Sequence, residues 1–128
     1  MAQNSQMKFK SVCGIVAGII LILSAFAHSI LGWKAMSEEL ARTNAPADLV
    51  LGLEIDWKFG GPVMLTLGII AIHMSLNRWR GKLVSTFAPG LMAIMYTLFG
   101  IWAIAVSGEP FFAIFIVPGV LLAIASIP

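Results

Sequence analysis

Polar and apolar residues fall along this chain in long blocks, without the period of two that marks strands. Residues 1–10 are polar and carry Lys8 and Lys10. Residues 11–33 are apolar and hold no formal charge. About 20 such residues suffice for a helix to cross a bilayer. The next block, 34–47, is polar, with Glu38, Glu39 and Arg42. Within it the spacing of Trp33, Met36 and Leu40 predicts a short amphipathic helix on the membrane surface, ended by Asn44-Ala45-Pro46. Residues 49–55 are again apolar but meet Glu54, Asp56 and Lys58.

A second span is predicted over about 57–76, with Gly60-Gly61-Pro62 in its first turns. A proline there either starts the membrane helix or kinks a longer one beginning near Ala47. Residues 77–82 form a short basic turn, and a third span covers 83–106 with Pro89-Gly90 near its start. Ser107-Gly108-Glu109-Pro110 reads as a tight turn. A short fourth span over 111–127 is interrupted by Pro118-Gly119. The expected fold is therefore all-α: one domain, an integral membrane four-helix antiparallel bundle, with 34–56 as its extracytoplasmic loop.

Composition agrees. The 128 residues are 59% hydrophobic and 11% charged, with a mean hydropathy of +0.96. A soluble domain is about 25% charged, so this apolar excess must face lipid. The single cysteine, Cys13, excludes an intrachain disulfide, a C-x-x-C pair and a cysteine metal site. The one basic cluster, around Arg78, Arg80 and Lys82, is explained by topology, and no nucleic-acid partner is expected. With the N-terminus inside, Lys8, Lys10, Arg78, Arg80 and Lys82 are cytoplasmic. Lys34, Arg42, Lys58 and all six acids then lie outside. The positive-inside rule thus places both termini in the cytoplasm of an inner (plasma) membrane protein. A competing reading takes residues 1–27 as a cleaved signal peptide ending in Ala25-Phe26-Ala27. His28 would then begin a three-helix chain, and its amine and ring could hold copper.

Small residues mark packing faces in lipid, where apolar side chains gain little by leaving the acyl chains. In span one, Gly14, Gly18, Leu21, Ala25, His28 and Gly32 make one stripe. In span three the stripe is Thr86, Ala93, Tyr96, Gly100, Ala103 and Ser107. In span two, Thr66, His73 and Asn77 share a face. Trp33, Trp57, Trp79 and Trp102 read as interfacial belt residues. Depth then sorts the polar groups. His28 lies ~24 Å and Tyr96 ~20 Å above the inner starts of their spans, so they can be neighbours near the outer surface. His73 lies near the inner surface, about 15–20 Å from His28 in depth. The two histidines cannot sandwich one haem.

The candidate site is thus His28, Tyr96 and Thr66, with Glu54, Asp56 and Trp57 at its mouth. A proton-transfer group, a hydroxyl and carboxylates beside apolar walls suit acid–base work on a lipophilic molecule. His28 with a carboxylate could also hold a metal ion. Plain structural roles stand beside these. On that reading His28 is only a helix-to-helix hydrogen bonder, Glu54–Lys58 a surface pair and Asp56 a helix cap. His73 would then contact phosphates.

Ala27-His28-x-x-Leu31-Gly32-Trp33, Leu53, Trp57-x-Phe59-Gly60-Gly61 and Met64-Leu65-x-x-Gly68 together resemble small four-helix bacterial membrane proteins of unknown function. In those, an AHxxLG motif ends span one and a W-H-like motif opens span two. Here Lys58 stands where the second motif has histidine. The architecture, with Gly61-Pro62 and Tyr96, is also similar to styrene oxide isomerase, which binds haem. That similarity puts the haem ligand's position near Phe59, so His28 would have to serve instead. The leading expectation is a membrane protein with an outward-opening pocket at His28 and Tyr96. It would bind a hydrophobic small molecule or a membrane-complex partner, and would oligomerise through the Gly14/Gly18 face of span one or through span four. The alternatives are a membrane isomerase dependent on haem or a metal, and a small transporter subunit.

Overall fold

The computed structural model describes residues 2–127. Among the described residues it is a four-helix bundle with no strand, as the block pattern requires. The first rod joins α1 (Ala2–Phe26), a π-helical stretch (Ala27–Gly32) and α2 (Trp33–Arg42) without a break. The junction residues Phe26, Gly32 and Trp33 all keep right-handed helical dihedrals. The second rod is α3 (Ala47–Trp79), the third α4 (Phe87–Ser107). The fourth is a 3₁₀ turn (Pro110–Phe112) leading into α5 (Ala113–Ser126).

The stretch 34–56, expected as a loop, is thus helical except around residues 43–46. α2 continues α1, and the membrane helix starts at Ala47, the longer of the two options that Pro62 left open. The break itself is local chemistry. Asn44 takes a left-handed φ of 51°, and the Ala45 N–H reaches back to the Leu40 carbonyl at 3.0 Å. Asparagine tolerates that conformation at a helix end. Pro46, at ψ 141°, then feeds α3.

Residues 4–42, α3 and α4 are each long and apolar enough to cross a membrane. The fourth rod, Pro110–Ser126, is apolar but shorter. Successive rods alternate in direction. Gly14 lies against Ser75 and Ala125, Gly18 against Gly68, and Gly61 against Ala25, so α1 runs opposite to α3. Gly100 meets Ile116 and Gly119 meets Thr97, so α4 runs opposite to α5. α1 packs on both α3 and α5, and α4 on α5, while α3 and α4 scarcely touch.

The core is built of small side chains, as lipid-embedded packing favours. Ala17, Leu21, Ala71, Met92, Ala93 and Leu122 form it, with Leu67, Tyr96 and Leu121 against its edge. The predicted stripe of span one holds: Gly14, Gly18, Leu21 and Ala25 are buried, and His28 and Gly32 half-buried. Span three holds too along Ala93, Tyr96, Gly100 and Ala103, with Trp102 exposed behind them. Trp33, Met36 and Leu40 form the half-covered side of α2.

Candidate functional site

The π-helical stretch coincides with the Ala27-His28-Ser29-Ile30-Leu31-Gly32 motif. Here the Trp33 N–H bonds to the His28 carbonyl, five residues back, in place of four. Such widened turns recur at functional positions. The same carbonyl accepts a second hydrogen bond, at 2.7 Å, from Trp57 Nε1–H. The His28 ring lies flat on the Trp57 indole, with centroids 4.6 Å apart and planes 6° apart. One indole therefore both stacks on the histidine and holds its backbone.

Two glycines make room for this arrangement. A Cβ added at Gly60 would come within 2.7 Å of His28 Nε2. A Cβ added at Gly32 would sit 3.0 Å from the Trp57 ring. Ser29 fills the next position inward, its hydroxyl lying where a Gly61 side chain would be. In the sequence Gly60 and Gly32 stand out as helix-start, stripe and motif residues, not as ring neighbours. The available signal was a glycine one turn from each ring, in His28-x-x-x-Gly32 and Trp57-x-x-Gly60.

The other candidates go elsewhere. Tyr96 packs on Phe115, with ring centroids 6.4 Å apart, and against the alanine–leucine core. The neighbouring Thr97 lies against Gly119, six residues from the Ala125 that touches Gly14. That register sets Tyr96 ~12 Å below His28 along the bundle axis. His28 belongs to the α1–α3 contact and Tyr96 to the α4–α5 contact. Thr66 stands on the exposed face of α3 and donates to the Pro62 carbonyl at 2.8 Å. Glu54 pairs with Lys58 on the surface, and Asp56 is exposed. His73 bonds Asn77 at 2.9 Å on the outer face of α3, near the opposite end from His28.

Chemically, the site is more clamp than reaction centre. The Nε2 edge of His28 lies against the backbone of Gly60 and one ring face is covered by Trp57. Axial ligation of haem through Nε2 therefore lacks an open approach. Among the described residues no group of three His, Cys, Asp or Glu side chains is placed to hold a metal ion. No protein-family model, curated protein or solved structure matches the chain.

Proposed function

We propose that this chain is a small multi-pass protein of an inner (plasma) membrane, with both termini cytoplasmic, whose outer end docks a membrane partner. The supporting observation is an exposed apolar stripe on α3. Leu51, Ile55 and Phe59 recur every four residues and are 58%, 60% and 69% exposed. α3 has 33 residues, so it extends ~50 Å. The hydrocarbon slab is ~30 Å thick, and the surplus falls at the acidic end, among Asp48, Glu54 and Asp56. The stripe thus continues past the apolar layer, where water would otherwise meet it. The fitting partner is a membrane helix with an apolar seam and basic residues just outside the bilayer. A second copy of this chain is one such candidate.

Topology has its own support. Lys8, Lys10, Arg78, Arg80 and Lys82 gather at one end, against Lys34, Arg42 and Lys58 at the other. The close glycine contacts of α1 with α3 support residues 1–27 as a lasting part of the bundle. His28 acts here as a latch that sets the exit angle of the hairpin. An isomerase has less support, because the His28 ring is taken up by Trp57 and Gly60 and Tyr96 lies deeper.

The test places a photoreactive residue at Ile55 and, as a lipid-facing control, at Leu98, which is 59% exposed on α4. Illumination of intact membranes should give one discrete protein adduct from position 55 alone, and Leu51→Glu should abolish it. An adduct of twice the chain's mass identifies a second copy. Lipid adducts alone at position 55 would contradict the proposal.

A further inference from the structure

The end opposite His28 carries a shallow open cleft that none of the preceding roles uses. Lys10, Met74, Ser75, Arg78, Val84, Ser85, Pro89 and Ala125 line it. It lies where α3 and α4 diverge, with α1 and α5 forming its floor. Two cations and two hydroxyls thus face one opening beside four apolar side chains.

Arg78 is held in place there. Its Nη1 donates to the Ala125 carbonyl and, at 3.4 Å, to the Ile127 carbonyl. It thereby satisfies the last turn of α5. A guanidinium has five N–H donors, so Nε and Nη2 still have hydrogens to offer. This planar fork matches phosphate oxygens, and the capping contacts fix it before any ligand arrives.

The surroundings select for an anion. All six acidic side chains occupy positions 38–56 and 109, at the far end of the bundle. No acidic side chain shares this end with Lys8, Lys10, Arg78, Arg80 and Lys82. Lys8 lies over the Trp79 ring, 5.9 Å from its centroid. The rim is also apolar. Leu83 is fully exposed and Phe87 is 74% exposed, both beside the cleft mouth. Cations next to exposed apolar side chains match the level where lipid phosphates meet acyl chains.

We propose that this cleft binds a phosphate-bearing anion between Arg78, Lys10 and Ser85. The headgroup phosphate of an anionic lipid is one source and free phosphate the other. The site is independent of the docking face at the outer end and stands or falls separately from it.

Thermal unfolding of the purified full chain in maltoside micelles provides the test, with phosphatidylglycerol, phosphatidylcholine and inorganic phosphate titrated separately. Phosphatidylglycerol should raise the midpoint at concentrations where phosphatidylcholine has no effect. Arg78→Gln also removes a cap of α5, so the informative variant is Ser85→Asp. Its carboxylate can still accept the Phe87 N–H, which Ser85 Oγ accepts at 3.2 Å, while it repels an anion. Ser85→Asp should raise the phosphatidylglycerol needed for half the effect ~10-fold or more, the usual scale of a like-charge clash. A shift produced by inorganic phosphate alone, and lost in Ser85→Asp, keeps the site and names free phosphate as its source. Equal shifts with both lipids, no shift with any anion, or an unchanged response in Ser85→Asp would overturn the proposal.

Discussion

The contact between α1 and α3 is made in two different ways along its length. In its inner half, backbone meets backbone. A Cβ at Gly18 would lie 2.7 Å from the Gly68 carbonyl oxygen, and one at Gly68 would lie 2.8 Å from the Gly18 carbonyl oxygen. In its outer half the same helices are bridged by side chains. Trp57 and His28 stack there, and the π-helical turn presents the His28 carbonyl to the indole N–H. Glycines serve both halves for different reasons. Inside they let two backbones approach; outside they clear space for two rings. Close approach suits the lipid layer, where contact and shape drive association. A polar–aromatic bridge suits the interface, where a ring can be apolar on its body and hydrogen-bonded at its tip.

This contrast can be broken from either side. The largest effect belongs to Gly18→Ala, whose methyl group meets backbone that cannot step aside. It should cost ~2–3 kcal/mol in equilibrium unfolding from mixed micelles, the upper range for overpacking. Gly60→Ala comes next at ~1–2 kcal/mol, because the His28 ring can tilt away. It should also change the tryptophan near-ultraviolet circular dichroism, which Gly18→Ala leaves less affected. Trp57→Phe keeps an aromatic ring on His28 but removes the Nε1–H donor, for about 1 kcal/mol by the same unfolding measurement. The smallest change has the opposite sign. Gly52 sits in exposed α3 with nothing within 4 Å of an added Cβ, so Gly52→Ala should stabilise by ~0.5–1 kcal/mol.

The inner half of this contact was largely legible in the sequence. Small residues at helical spacing named the face of α1, and Gly14, Gly18, Leu21 and Ala25 are buried as that stripe requires. The outer half was less so. Periodicity shows which way a residue points on its own helix. It does not show which residue on the next helix lies opposite. His28 and Trp57 both stand out in the sequence, but depth counted from a third span starting at 83 sets Tyr96 level with the histidine; the helix starts at Phe87, and its register on α5 puts Tyr96 deeper. Thr66 shared a face with His73, and that face turns outward because Gly61, Gly68, Ala71 and Ser75 take the inward one. The polar block at 34–47 marks the end of the apolar layer, yet the helix runs on through it as far as the Asn44-Ala45-Pro46 stop signal. α2 and the first turns of α3 simply continue the membrane rods. The π-helical turn has no signature in hydropathy, since widening one turn leaves the sequence pattern intact.

In the proposed function His28 is a structural latch held by Trp57, shaping an outer end that docks a partner. A double-mutant cycle with His28→Ala, Trp57→Leu and the two combined, followed by equilibrium unfolding, tests the latch directly, since each single change removes one of the two stacked rings. The structure predicts that the two losses are not additive, with a coupling of ~0.5–1.5 kcal/mol, the range for paired rings in contact. Strictly additive losses would mean that the two residues act independently, and the latch would be contradicted.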